Sequence, residues 1–91
     1  MVIYKYPLAV TDRQVMTMPI GAQLLCVQVQ RGIPTLWARV DPIHEMEEVI
    51  LLTKGTGHPF PEINVSYLGT YQLAQQLVFH VFHLHNHPRG V

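Results

Sequence analysis

The chain is short of charge, and of cysteine. Lys, Arg, Asp and Glu make up only 13% of its 91 residues, about half the roughly 25% usual in soluble domains. Six basic residues are matched by six acids, so the formal net charge is zero. Nucleic-acid binding draws most of its affinity from a surplus of Lys and Arg, and Lys5, Arg13, Arg31, Arg39, Lys54 and Arg89 are scattered rather than grouped, which disfavours nucleic acid as a partner. The one cysteine, Cys26, excludes an internal disulfide and fits a reducing, cytosolic setting. No run approaches the roughly 18 apolar residues that a membrane helix needs, and no charged segment followed by a long apolar stretch opens the chain as in a secretory signal. No membrane association is expected.

What is present is apolar: 48% of the residues. A chain of this length forms one domain with a thin core. Low charge and zero net charge leave copies little to keep them apart, so a homo-oligomer is expected.

The apolar residues alternate with polar ones. Leu24 to Val40 (LLCVQVQRGIPTLWARV) is the centre of the pattern. Leu25, Val27 and Val29 alternate with Cys26, Gln28 and Gln30, the period of a half-buried strand. Arg31-Gly32-Ile33-Pro34 breaks the run, and a second one begins at Thr35, which predicts a β-hairpin. On the returning strand Trp37, the only tryptophan, shares a face with Thr35 and Arg39, opposite Leu36, Ala38 and Val40. Trp37 is expected to be substantially buried.

The same reading predicts strands at Val2 to Tyr6, Arg13 to Met18, Val49 to Thr53, Ile63 to Thr70 and Leu77 to Leu84. Val49 to Thr53 has the continuous apolar character of a central strand. Gly69 inside an alternating run points to a bulge or a close backbone approach. His44 to Glu48, the only charge cluster, is expected to be a solvated loop. No segment has helical periodicity. The expected fold is all-β, a small antiparallel β-sandwich or barrel of about seven short strands with little or no helix, in a domain over 1–85 with a loose tail at 86–91.

Two places carry side chains suited to chemistry. Gly55-Thr56-Gly57-His58-Pro59-Phe60-Pro61 cannot be helix or sheet interior, because its glycines and prolines break both. Successive backbone N–H groups in such a loop can form an anion nest. Gly55, Thr56, Gly57 and His58 are therefore the candidate ligand rim, with Arg13 and Arg39 as countercharge for a small anionic ligand. The loop lacks the Lys-Ser/Thr pair and following helix of a phosphate-binding P-loop. The second place is His80, His83, His85 and His87, the last three at alternate positions. They could share a metal on one strand face, but no Cys or Asp stands near them in the sequence, and the expected metal and cofactor complement is none. Cys26 lies within a predicted strand, where a thiol behaves as a small apolar residue. Asp12-Arg13 reads as a turn ion pair as readily as an acid with its orienter.

Several segments also resemble a group of small proteins encoded by tailed bacteriophages and prophages: IYKYPL at Ile3 to Leu8, TDRQ at Thr11 to Gln14, MPIGAQLLCVQVQRGIPTLWARVD at Met18 to Asp41, GTGHPFP at Gly55 to Pro61, YLGTYQ at Tyr67 to Gln72 and VFHVF at Val78 to Phe82. The resemblance implies a phage accessory protein acting in the host cytoplasm, with no enzyme activity. The expected function is binding, of a host protein or of a small ligand held between subunits. The alternatives are a sponge for a host immune nucleotide signal, a structural virion component and a His-ligated metal protein.

Overall fold

Alternation along the chain becomes seven antiparallel strands in a computed structural model that describes residues 1–85. They are β1 (Val2–Pro7), β2 (Arg13–Pro19), β3 (Gln23–Gln30), β4 (Ile33–Val40), β5 (Met46–Gly55), β6 (Val65–Leu73) and β7 (Leu77–Leu84). The only helical turn in this region is a short 3-10 segment, Ala74–Gln76. Two sheets result, a three-stranded one in the order β1-β4-β3 and a four-stranded one in the order β2-β5-β7-β6. All described pairings are antiparallel. The expected all-β class is what forms, as a thin slab measuring 41 × 34 × 15 Å.

The β3–β4 hairpin turns on two residues only. Arg31 and Gly32 both take positive φ, 52° and 79°, the conformation of a type I′ turn, whose twist matches that of the strands it joins. Gln30 pairs with Ile33, so the strand resumes two residues earlier than Thr35, and Pro34 is a strand residue. The core face of β4 is Leu36, Ala38 and Val40, each with no exposed surface. Trp37 takes the opposite face, in register with Lys5 and Cys26, and is half-buried. It packs across the strands on the face opposite the core.

Alternation along β3 is interrupted by a bulge between Leu24 and Cys26. Leu24 and Val27 therefore both turn inward, and Leu25 is 41% exposed, as is Val29. The expected face of Leu25, Val27 and Val29 keeps only Val27 inside. A second correction concerns the acidic loop: β5 starts at Met46, because Glu47 and Glu48 pair with Met18 and Thr17 of β2.

The sheets meet where β3 crosses β6. A Cβ on Gly69 would lie 2.6 Å from the Val27 carbonyl oxygen and 3.0 Å from its nitrogen, so only glycine lets the two backbones come this close. Pairing in β6 also shifts register between Tyr67 and Gly69. Around this crossing Met18, Val27, Leu36, Leu51, Tyr71 and Val81 form the core, each aliphatic member contributing roughly 1.5–3 kcal/mol by leaving water.

Candidate functional site

The site grows from the end of β5. Gly55 closes the strand, and His58 N–H donates to the Gly55 carbonyl at 3.1 Å. Gly57 takes φ 89° at the third position of this turn, which a type II turn requires and other residues resist. Gly55 is needed for a different reason: its missing Cβ would stand 2.8 Å from Cε1 of His58. The imidazole therefore lies directly against the Gly55 backbone.

Thr56 ties the turn to the sheet. Its N–H donates to the Val78 carbonyl at 3.3 Å, and its hydroxyl is 2.7 Å from Nε2 of His80. Nδ1 of His80 is 2.9 Å from the Thr70 hydroxyl, which is 2.6 Å from the Tyr67 hydroxyl. The register shift between Tyr67 and Gly69 puts Tyr67 on the same outer face of the four-stranded sheet as Thr70 and His80, where these hydrogen bonds clamp the loop across β7 and β6. Neutral imidazole has one donor and one acceptor nitrogen, and here both are occupied by threonine hydroxyls.

The rest of the loop lies over the same face. Phe60 packs on Phe82 with ring centroids 4.7 Å apart, and Tyr67 meets Phe82 at 5.6 Å. Lys54 Nζ stands 5.3 Å from the centre of the Phe60 ring and 2.8 Å from Oε1 of Glu62. The Lys54 hydrogen bond is the main reason that the Glu62 carboxyl is held below its usual range, helped by a backbone hydrogen bond and the charges of Lys54 and Arg13. Leu52 is only 2% exposed, although it points away from the main core.

His58 separates two hollows. One, of about 340 Å³, is walled by Gly55, Thr56, Leu77, Val78 and Phe79. The other, of about 350 Å³, is polar and lined by Asp12, Thr53, Lys54, Pro59 and Glu62. Both are of the size that takes a small ligand.

Of the residues expected at a site, Gly55, Thr56, Gly57 and His58 form one turn. Arg13 stands on β2 opposite Leu52 and contributes to the field at Glu62. Arg39 is not part of this arrangement: it lies on β4 in the other sheet, in register with Ile3 and Gln23. Lys54 and Glu62 were not among the expected site residues, while Asp12 figured only beside Arg13 and His80 only in the histidine cluster; the approach of all four depends on which strands pair.

A third recess, of about 230 Å³, lies where Ala22 and Leu24 face Glu47, Val49, His83 and His85. The His83 and His85 rings stack with centroids 4.2 Å apart, and Nε2 of His85 is 2.5 Å from the Ser66 hydroxyl. Burial, then the charge of His85, pushes the His83 pKa down, and Glu47 opposes this. Among the described residues no three His, Cys, Asp or Glu side chains are grouped so as to hold a metal ion. His87 and the expected tail lie outside them.

These features define a small two-sheet antiparallel β-domain with a clamped loop between two ligand-sized hollows. Among the described residues no helix is long and apolar enough to cross a membrane. The chain belongs to the family described as a domain of unknown function, DUF7352, whose family model matches residues 1–90. No curated protein and no solved structure matches it.

Proposed function

We propose that this domain is a non-enzymatic binding module that holds a small ligand against His58. The carrying observation is the position of that imidazole, pressed on Gly55 and exposed to an apolar hollow on one side and a polar one on the other. The apolar side suits the ring of a heterocycle. The polar side offers the carboxylates of Asp12 and Glu62 as well as the Lys54 ammonium, and suits hydroxyl or amino groups better than a concentrated negative charge. This shifts the reading away from the anionic ligand that the loop composition suggests, since Lys54 is paired with Glu62 and Arg39 is on the other sheet. His80 supports binding rather than catalysis: both of its nitrogens serve the clamp. The resemblance to bacteriophage accessory proteins supports a setting in the host cytoplasm.

The test is a nuclear magnetic resonance titration of backbone amides with adenosine as the neutral probe and a cyclic dinucleotide as the anionic one. Adenosine is expected to move Thr56, His58 and Val78, and His58→Ala to abolish those shifts. Tighter binding of the cyclic dinucleotide would favour the nucleotide-sponge alternative. No shift with either probe at millimolar concentration, or shifts unchanged in His58→Ala, would overturn the proposal.

A further inference from the structure

We infer that β1 is the docking edge for a second copy of this chain, joined antiparallel about a two-fold axis at Tyr4. In an antiparallel pair, residues alternate between exchanging hydrogen bonds with their partner and turning those groups away. Leu8 N–H donates to the Pro34 carbonyl at 2.8 Å, one step beyond the Pro7–Thr35 pair. The same alternation commits Tyr6, Tyr4 and Val2 to Leu36, Ala38 and Val40. The N–H and C=O groups of Ile3 and Lys5 therefore face the open edge, since among the described residues β1 pairs only with β4. Pro7 has no N–H to offer, which ends the pairing surface at Lys5.

This edge is self-complementary in one register. With Tyr4 on the axis, Ile3 faces Lys5 of the partner subunit, and each such pairing exchanges two hydrogen bonds; the two-fold makes the pairing twice. An axis at Lys5 would set like charges opposite each other and waste a bond on Pro7, and an axis at Ile3 would leave Lys5 unused. Lysine commonly guards exposed edges, but here the Lys5 ammonium reaches back across β4 to Gln30 Oε1 at 2.9 Å. The stem is left over the edge and the charge is drawn off it.

The apolar surface agrees. Met1, Val2, Ile3 and Tyr4 are 64, 44, 61 and 44% exposed, so both faces of the strand are open. Their exposed surface is on the order of 400 Å² per copy and about 800 Å² for a pair, short of the roughly 1,000 Å² that a lasting interface clears and in the range of weak, transient association. A closed but dissociating dimer follows, with a continuous six-stranded sheet across the axis.

Light scattering and sedimentation over a concentration series measure it. A monomer–dimer equilibrium in the micromolar range is expected. Ile3→Pro removes an outward N–H without touching the bonds to β4, and should raise the dissociation constant at least tenfold while the monomer keeps its circular dichroism spectrum. In a Cys26→Ser background, Tyr4→Cys should form an intermolecular disulfide under mild oxidation, because the two Tyr4 positions face each other. Val2→Cys, set opposite Tyr6 of the partner subunit, should not. A monomer at millimolar concentration, or equal crosslinking of the two cysteine variants, would overturn the inference.

Discussion

The two sheets are covered to different degrees. In the four-stranded sheet, Met18, Leu51 and Val81 are completely buried on one face, and the loop after β5 roofs part of the other, leaving Leu52 only 2% exposed. The three-stranded sheet buries Leu36, Ala38 and Val40 on its inner face, while on its outer one Ile3 and Ile33 are 61 and 49% exposed. One sheet carries the loop that forms the hollows, and the other carries β1, the edge proposed for pairing with a second copy. The proposed ligand site and the proposed dimer edge thus lie in different layers of a slab only 15 Å thick.

Truncation separates the layers most strongly. Leu51→Ala empties a site with no exposed surface and should cost about 2–5 kcal/mol, whereas Ile3→Ala in dilute protein should stay within roughly 0.5 kcal/mol. Urea unfolding of both variants measures the contrast, and similar losses would break it. Gly69→Ala attacks the junction instead. The new methyl meets the Val27 backbone, which cannot rotate away as a side chain would, so a loss of about 1–3 kcal/mol is expected. A shallower urea slope in this variant would show that the sheets had begun to unfold separately.

That junction was legible in part. A glycine in an alternating strand signals a close approach, and Gly69 makes one, but the partner, Val27, is more than forty positions away and no local pattern names it. Strand positions were legible because alternation is local: each of the seven expected segments overlaps an observed strand. The inward face of β3 was not, since in Leu24-Leu25-Cys26-Val27 either leucine satisfies the pattern and a bulge decides. Which face of β4 meets the core stays open in the sequence, because Thr35, Trp37 and Arg39 on one side and Leu36, Ala38 and Val40 on the other are separated only by packing against the second sheet. At the site, the Gly-Pro punctuation of residues 55–61 marked the loop. The clamp from Thr56 to His80 and the Lys54–Glu62 pair depend on tertiary pairing, and Arg39 could not be assigned to a sheet before the strand order was known.

Buried hydroxyls give a smaller and opposite effect. Tyr71 is 3% exposed and its hydroxyl meets no hydrogen-bond partner, and burial pushes its pKa up. An unsatisfied buried polar group costs free energy. Tyr71→Phe keeps the ring against Phe79, whose centroid is 5.6 Å away, and should leave stability unchanged or raise it by up to about 1 kcal/mol. A loss of that size in thermal melting would mean that the hydroxyl has a partner after all, and that the core of the four-stranded sheet is wetter than it looks.

The smallest effect is a pH dependence at the recess between the sheets. His83 has its pKa pushed below the ordinary 6.5, first by burial and second by the charge of His85, with Glu47 pulling the other way. The unfolded chain therefore takes up a proton at a pH where the folded one does not, and stability must rise with pH across that interval. The penalty is absent well above pH 6.5, grows as pH falls through the unfolded value, and levels off below the folded one. Partial exposure of the ring lets solvent screen the effect, so it should appear as a modest drop in urea midpoint between pH 7.5 and 5. Glu62 contributes in a separate window. Its lowered pKa gives stability that is present above the usual carboxylate value of 4.5 and is lost only at more acid pH. His83→Gln should flatten the midpoint between pH 5 and 7.5 while leaving the acid limb in place. An unchanged slope in that variant would assign the pH dependence to another group and leave the inter-sheet recess without a role in it.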